Sequence, residues 1–250
     1  MRLSCGSSIL IIWNRMRNNR YLSLYGVAFF LLTVGLALFS WMGSIYGTGE
    51  VQSLLSAEGV RWLLGHAVEN YVQAPAFGGV FVLMMGWGVM TRSGIFDALY
   101  RYFRQGKQLS RKERRALVSF AITFLFYVLL VSVVMILPWN LLLSATGSWL
   151  NSPFSKGFVY LLSLGLGLGG MAYGYVADVF RGAGDIVEAM SHTIARNALF
   201  FVVLFFVVQF FTSLEYTRLL EWLGVTGFFV DWIYLFCSYF PLLLLGQERE

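Results

Sequence analysis

The chain has 250 residues, of which 58% are hydrophobic and 12% are charged, and its formal net charge is +5. Soluble domains carry about 25% charged residues, so an ordinary water-soluble domain is excluded, and a disordered chain or a nucleic-acid-binding domain is disfavoured. This composition is typical of a polytopic membrane protein, in which the lipid bilayer surrounds most of the apolar surface.

Long apolar segments recur along the chain. A helix needs about 20 mostly apolar residues to cross the hydrocarbon core of a bilayer. We therefore expect an all-α fold with about six transmembrane helices, forming a single membrane domain over residues 1–250. The expected spans are residues 21–42, 74–91, 116–137, 158–177, 197–214 and 225–245.

The basic residues predict the orientation. With six spans and an inner N-terminus, fifteen of the 18 Lys and Arg residues fall in inner segments, in agreement with the positive-inside rule. Both termini are then expected in the cytoplasm, and the protein in a bacterial inner membrane. The most basic inner loop contains Arg111, Lys112, Arg114 and Arg115. This loop is expected to attract anionic lipid headgroups.

The outer segment after the first span contains a predicted amphipathic helix. Its apolar residues recur mostly at spacings of three and four, and Ser56 precedes them as a helix cap. The periodicity predicts that the apolar side lies on the outer interface or packs on the bundle, while substrate capture is an alternative role. The apolar side comprises Ala57, Val60, Leu64, Ala67, Val68 and Tyr71.

A second amphipathic helix is predicted in the inner segment after the fourth span. Six polar residues at spacings of three and four form one narrow stripe on a helix, and their alternating charges can pair along it. The stripe is interpreted either as a self-neutralised face at the cytoplasmic surface or as a docking site for a partner or a moving element. Its members are Asp178, Arg181, Asp185, Glu188, His192 and Arg196.

The fourth span is rich in glycine. Gly165 and Gly169, and likewise Gly170 and Gly174, are four residues apart, which is the spacing that lets helices approach closely in lipid. We expect these glycines to support close packing inside the bundle or between protomers. An unwound, ligand-binding helix is the alternative.

One acidic residue, Asp231, lies within a predicted span, near its outer end. Intramembrane charges are functional candidates by default, but a position so close to the interface favours hydration or pairing with Arg218 over a proton relay. The sequence contains no paired carboxylates, HExxH motif, P-loop or nucleophile elbow. We therefore expect neither an enzyme nor a bound cofactor. His66 and His192 fall on opposite sides of the membrane in this topology, so they cannot share a metal.

Two stretches of the chain contain several recognisable motifs in succession. The stretch from Val51 to Phe103 contains LLSAEGVRWLLGH followed by a glycine-rich span. The stretch from Leu109 to Leu223 contains LSRKERRALVSFAITFLFYVLL, NSPFSKGFVYLL and AYGYVADVFRGAGDIVEAM in that order. These motifs and their order resemble the bacterial p-aminobenzoyl-glutamate transporter (AbgT) family. The resemblance covers most of the chain and implies the helical framework of such a transporter.

The resemblance also implies which parts are missing. Family members are about twice as long, and two helical hairpins that dip into the membrane carry their substrate and ion sites. The first hairpin lies between the parts that correspond to Phe103 and Leu109, which five residues join here. The second is expected after Leu223, where its motifs do not occur. We expect a shortened member that lacks both hairpins, onto which no substrate-binding residue can be carried over.

These observations lead to two functional hypotheses from different classes. The first is a non-catalytic membrane scaffold or complex subunit, derived from the framework of an AbgT-type transporter and assembled as a homo-oligomer or with other membrane proteins. The second is transport of a small organic anion such as p-aminobenzoyl-glutamate, alone or with a partner that supplies the hairpins. A weaker alternative is an envelope regulator that senses ions or lipids through the basic loop.

Overall fold

The protein is all-helical in the residues that its structure, a computed structural model, describes: 4–46, 51–106, 108–136, 152–222, 224 and 227–246. This part of the chain contains no strand, which confirms the predicted fold class. The helices are α1 (Ser4–Ile45), α2 (Ala57–Gln73), α3 (Pro75–Arg92), α4 (Ile95–Gln105), α5 (Arg111–Ile136), α6 (Pro153–Val176), α7 (Ala183–Arg196), α8 (Ala198–Tyr216), α9 (Leu219–Trp222) and α10 (Gly227–Gly246).

Five helices of the described residues are long and apolar enough to cross a membrane. A sixth crossing results if α2 and α3, which meet at a bend of 46° beside Ala74, form one broken span. The multi-pass membrane protein expected from the sequence is therefore confirmed. The five spans are Arg20–Ile45, Arg111–Met135, Pro153–Val176, Ala198–Tyr216 and Gly227–Leu244.

Local sequence signals explain several helix ends. The Ser56 hydroxyl accepts the Gly59 backbone N–H at 3.0 Å, so the predicted cap of α2 is confirmed. Pro153 opens α6 after the capping Ser152, where its missing N–H removes no helical hydrogen bond. Gly94 and Gly106 flank α4 with φ of 83° and 62°, a left-handed conformation that glycine adopts without steric cost.

The chain divides into two compact units, one made of residues up to Gly78 together with those from Asn197 onward, the other of Gly79–Arg196. In the first unit α1 packs along α8, and α10 and α2 also pack on α8. Its main buried cluster consists of Leu22, Phe29, Val203, Val207 and Phe211. The single membrane domain expected from the sequence stays a prediction.

The second unit is built on the pairing of α5 with α6. One buried cluster joins the end of α3, α4, α5 and α6, and a smaller one joins α3 to the segment around Phe180 and to α7. The first consists of Met90, Ile95, Ala98, Ala116 and Tyr173, and the second of Val89, Phe180 and Ala189.

Helix α2 forms as expected, and the side that packs on α8 overlaps the predicted apolar side only in part. Trp62 stacks on Tyr216 with ring centroids 4.3 Å apart, and the Tyr71 hydroxyl donates to the Phe201 carbonyl at 2.8 Å. The predicted apolar side is largely exposed, because Leu64 is 77% and Val68 is 72% accessible. Tyr71 belongs to the predicted apolar side and Trp62 does not, and such aromatic side chains with a polar end can use both burial and hydrogen bonding at a helix contact.

A proline inside α10 explains a contact between distant helices. Pro241 has no N–H, so the Cys237 carbonyl one turn earlier loses its helical hydrogen bond. The Tyr25 hydroxyl of α1 donates to this carbonyl at 3.2 Å. Because unsatisfied backbone groups are costly in lipid, this contact fixes α1 against α10.

Replacing Tyr25 with phenylalanine is expected to lower the free energy of unfolding by about 1 kcal/mol, because the Cys237 carbonyl then loses the hydroxyl that donates to it. Thermal unfolding of the purified protein in detergent measures the change. Tyr21→Phe is the matched control, since Tyr21 is 56% exposed. Equal melting temperatures for the two variants would contradict the assignment.

Candidate functional site

A pocket with several charged groups lies in the first unit, against α8, α9 and α10. It has a volume of about 250 Å³, and four charged side chains line it together with apolar groups. The charged residues are Glu215, Arg218, Glu221 and Asp231, and Thr212 and Tyr234 add two hydroxyl groups.

The turn between α8 and α9 brings these groups together. Glu215, Arg218 and Glu221 are three residues apart, and Arg218 adopts a left-handed conformation with φ of 52°, which separates the two helices. The buried Thr217, which precedes Arg218, is held by a residue outside the turn, because the Gln52 N–H donates to the Thr217 carbonyl at 3.1 Å. The segment that precedes α2 therefore supports the pocket.

The charges of the pocket limit what it can bind. Three carboxylates and one guanidinium line it, so its lining carries a net negative formal charge and favours a cationic or zwitterionic solute over an anion. Asp231 and Arg218 share the pocket as the sequence suggests, but no ion pair joins these two described residues. Within the described residues no group of three or more His, Cys, Asp or Glu side chains could hold a metal ion.

The inner polar stripe is only partly helical. Helix α7 begins at Ala183, so the prediction that Asp178 and Arg181 lie on the same helix as the other four residues is wrong. Asp178 adopts φ of 58° in a turn after α6, and the backbone N–H groups of Arg181 and Gly182 donate to the Asp185 carboxylate. Gly182 and its neighbours do not start a helix because Asp185 caps the turn instead.

Two of the stripe's three acidic residues pair with other helices of the second unit rather than with members of the stripe. Arg92 of α3 contacts Glu188 at 2.9 Å, and Lys112 of α5 contacts Asp178 at 2.7 Å. The hydrogen bond from Lys112 and its positive charge hold the pKa of the Asp178 carboxyl below its ordinary value of 3.8. These exposed pairs contribute little stability, so their main consequence is to orient the segments.

The remaining members of the stripe, His192 and Arg196, are exposed on α7. On the same helix Ala189 and Thr193 are buried, whereas Val187 is 65% exposed. A docking role for the stripe stays a prediction.

The glycines of α6 lie where neighbouring groups come close. A Cβ atom at Gly165 would stand 2.7 Å from the Tyr127 ring, and one at Gly169 would stand 2.6 Å from the Phe120 ring, both on α5. A Cβ at Gly170 would stand 3.1 Å from the Met90 backbone nitrogen of α3, and Gly174 is covered by the Phe180 ring. Helix α6 is continuous through this region, so it is not the unwound helix considered as an alternative.

Two features of the structure have no counterpart in the sequence-based prediction. The first is the grouping of Glu215 and Glu221 with Asp231, which the spacing of three residues around Arg218 could have suggested. The second is the hydrogen bond from Tyr25 to the Cys237 carbonyl, which Pro241 leaves without a helical donor. The proline in the sequence indicates that this carbonyl is free, but no periodicity indicates that Tyr25 is its donor.

Comparison with solved structures identifies two similar folds. The chain is similar to the YdaH transporter of Alcanivorax borkumensis, with a TM-score of 0.63 and 18% identity over 80% of this chain and 74% of that one. It is also similar to MtrF of Neisseria gonorrhoeae, whose structure illuminates a class of antimetabolite efflux pumps, with a TM-score of 0.71 and 15% identity over 90% of this chain and 82% of that one. At this identity the likeness shows the fold alone.

Both solved chains contain parts without a counterpart here, since the coverage stops at 74% and 82% of their lengths. The uncovered share of these two chains is smaller than the resemblance leads us to expect, since it implies family members about twice as long as this chain. No curated protein has a sequence that matches this chain significantly.

The model of the AbgT putative transporter family matches the sequence in two segments, residues 26–105 and 101–234. Together they cover most of the chain, and they meet at the end of α4. The family match, the helical membrane fold and the two transporter structures agree. The chain belongs to the AbgT family.

Proposed function

We propose that this protein is a non-catalytic membrane scaffold, the framework subunit of an AbgT-type transport system. The observation that carries the proposal is the short connection between α4 and α5. By the family resemblance, a membrane hairpin with substrate-binding groups belongs at this place, whereas here the two helices are separated by five residues, of which 106 and 108–110 are described.

Specific contacts close this connection. The Ser110 hydroxyl accepts the Glu113 N–H at 3.2 Å, and the Glu113 carboxylate accepts the Ser110 N–H at 2.9 Å, which together form a capping box at the start of α5. Arg101 of α4 contacts the same carboxylate across the connection. The family match also divides at residues 101–105, as a deletion at this place would produce. A compact turn of this kind supports a framework from which the first hairpin has been removed.

The charge of the polar pocket also supports the proposal. An aryl-glutamate carries two carboxylates at neutral pH, and the pocket against α8, α9 and α10 presents three more against a single guanidinium. Repulsion between the carboxylates of the solute and those of the pocket opposes binding. The pocket against α8, α9 and α10 therefore does not favour this anion.

The same proposal places the protein in a bacterial inner membrane with both termini in the cytoplasm, since that orientation puts most Lys and Arg residues on the inner side. It would assemble with a second copy or with another membrane protein. The proposed contacts for that partner are two exposed residues, Arg181 just before α7 and His192 on α7.

A second candidate function is transport of a small organic anion such as p-aminobenzoyl-glutamate, with the hairpin groups supplied by another chain. The likeness to MtrF, which extends over 90% of this chain, favours it. That relative's class of antimetabolite efflux pumps would make export the expected direction.

Affinity purification from native membranes, followed by mass spectrometry, separates the two candidates. A scaffold is expected to co-purify with copies of itself or with unrelated membrane proteins, and reconstituted vesicles are expected to show no ion-coupled movement of p-aminobenzoyl-glutamate. A stoichiometric membrane partner with hairpin motifs, together with transport by the reconstituted pair, would replace the scaffold proposal with the transport candidate.

A pair of variants tests the proposed partner contacts. Arg181→Ala combined with His192→Ala is expected to reduce partner recovery at least about threefold, since interface side chains at a charged contact account for much of its specificity. Glu58→Ala combined with Glu69→Ala removes two exposed charges from α2 and is the control. Equal recovery with both double variants would contradict a docking role for this stripe.

A further inference from the structure

One side of α5 is exposed along its whole described length. None of the residues in its most apolar stretch is buried, whereas 44% of the corresponding stretch of α8 is buried. Ile122, Leu125 and Leu129 are 63%, 68% and 57% exposed. In a membrane, this side of the helix faces lipid or a partner.

Three arginines belong to the same side. At 100° per residue, Arg111, Arg114 and Arg115 lie within about 70° of the line through Ile122 and Leu129. The opposite side of α5 carries the residues that pack on α6, among them Phe120, Phe124 and Tyr127. The exposed side is therefore a continuous stripe, cationic over its first turn and apolar over the following turns.

The charged residues around the start of α5 form two groups, of which one makes ion pairs within the described part of the chain and the other does not. Lys112 contacts Asp178, and Glu113 contacts Arg101, so these residues join α5 to its own unit. The three arginines have no ion-pair partner among the described residues. With Val118 they line an open groove of about 330 Å³, where the guanidinium groups adjoin the first apolar residue of the stripe.

We propose that this stripe of α5 is a binding site for one anionic phospholipid. The headgroup phosphate contacts Arg111, Arg114 and Arg115, whose planar guanidinium groups match phosphate oxygens in geometry and charge. The acyl chains lie along Val118, Ile122 and Leu125. The site is defined by geometry, which distinguishes it from the diffuse attraction that any basic loop exerts on a lipid surface.

The length of the stripe fits one membrane leaflet. From Arg115 to Leu125 a helix rises about 15 Å, which is half the thickness of the hydrocarbon core. The guanidinium groups then lie at the level of the headgroups while the apolar residues follow the acyl chains. A protein partner would explain the apolar part of the stripe, but it would leave three adjacent positive charges to be matched.

Native mass spectrometry of the delipidated full-length protein in detergent tests the site. Titration with palmitoyl-oleoyl phosphatidylglycerol is expected to give a 1:1 complex at a concentration at least about tenfold below that needed for phosphatidylcholine with the same chains. Phosphatidylglycerol with two six-carbon chains is expected to bind more weakly than the long-chain lipid. Equal binding of phosphatidylglycerol and phosphatidylcholine would overturn the proposal.

Variants locate the site on α5. The triple variant Arg111→Gln, Arg114→Gln and Arg115→Gln is expected to lose the tenfold preference, whereas the Lys replacements at these three positions preserve charge and insertion and are expected to retain part of it. The charge-matched control is Arg20→Gln, Arg61→Gln and Arg104→Gln, which keeps the preference. Loss in the control equal to that in the Gln triple variant would show diffuse attraction and overturn the site.

Competition separates a lipid from a free anion. Inorganic phosphate at the same concentration is expected to leave bound phosphatidylglycerol in place, because it makes no contact with Val118, Ile122 or Leu125. Displacement of the lipid by phosphate would show a simple phosphate site and would overturn the assignment to a phospholipid.

Discussion

Replacing Gly86 with alanine is expected to destabilise the second unit by about 3 kcal/mol, at the upper end of the usual cost of overpacking. A Cβ atom at this position would collide with the Ser163 backbone carbonyl and would stand 2.6 Å from the Ser163 hydroxyl oxygen. That hydroxyl accepts the Gly86 N–H at 3.2 Å. Backbone atoms of α6 can yield only if the whole helix moves, so α3 and α6 are expected to separate.

Thermal unfolding in detergent measures this effect, and a loss of about 3 kcal/mol corresponds to a melting temperature lowered by roughly 6–12 °C for a chain of this size. Gly78→Ala on the same helix is the control, because no atom lies within 4 Å of the added Cβ. The control is expected to be neutral or slightly stabilising, since alanine favours a helix over glycine. Similar melting temperatures for both variants would refute the close approach of α3 and α6.

Gly169→Leu is expected to have the second largest effect, a loss of about 2–3 kcal/mol from the contact of α6 with α5. The Cβ alone would stand 2.6 Å from the Phe120 ring, and a leucine adds three further carbons. The Phe120 ring can rotate, but it stacks on Phe124 with centroids 5.8 Å apart and packs against a buried cluster of the second unit. Its displacement therefore disturbs more than one contact.

The control is Gly157→Leu on the same helix, where nothing lies within 4 Å. Adding Phe120→Ala to Gly169→Leu is expected to restore part of the lost stability, because the space vacated by the ring accepts the leucine. Oligomeric state in native gels distinguishes the two roles expected for the glycines. An unchanged melting temperature combined with a lost oligomer would mean that Gly169 faces another protomer instead of Phe120.

Short-range signals in the sequence predicted the helices well. Ser56 and the apolar periodicity after it predicted α2, and the six apolar segments correspond to α1, α3, α5, α6, α8 and α10. These signals work because they depend on residues within one or two turns. The contacts of α2 were predicted only in part, since Trp62, which packs on Tyr216, lies outside the predicted apolar side. Periodicity shows that a helix has two sides but does not indicate which residues a neighbouring helix covers.

The turn after α6 shows a second limit of prediction from the sequence. The spacing from Asp178 to Arg196 fits a single helical stripe, and charge pairs along that helix are plausible at every step. In the structure Asp178 leaves the helical conformation and contacts Lys112, which is 66 residues away. Phe180 meanwhile covers Gly174. The burial of the Phe180 ring on Gly174 outweighs the weak pairing of exposed charges along a helix. The spacing of residues in the sequence does not indicate which of these two interactions is stronger.

The candidate site was predicted only in part. Asp231 and Arg218 were singled out from their positions near one end of a span, and both line the polar pocket. Glu215 and Glu221 were not singled out, because both lie outside the predicted spans, and only the turn at Arg218 brings them to the same pocket.

By itself, the sequence determined that the protein is helical, that it crosses a membrane several times and that it belongs to the AbgT family, because hydropathy, helix caps and family motifs are all local properties. Only the tertiary structure decided which glycines meet a backbone, which carbonyl receives the Tyr25 hydroxyl and which arginines of α5 remain without an ion pair in the described part of the chain. Each of these depends on atoms that are distant in sequence, and their positions follow from the packing of whole helices.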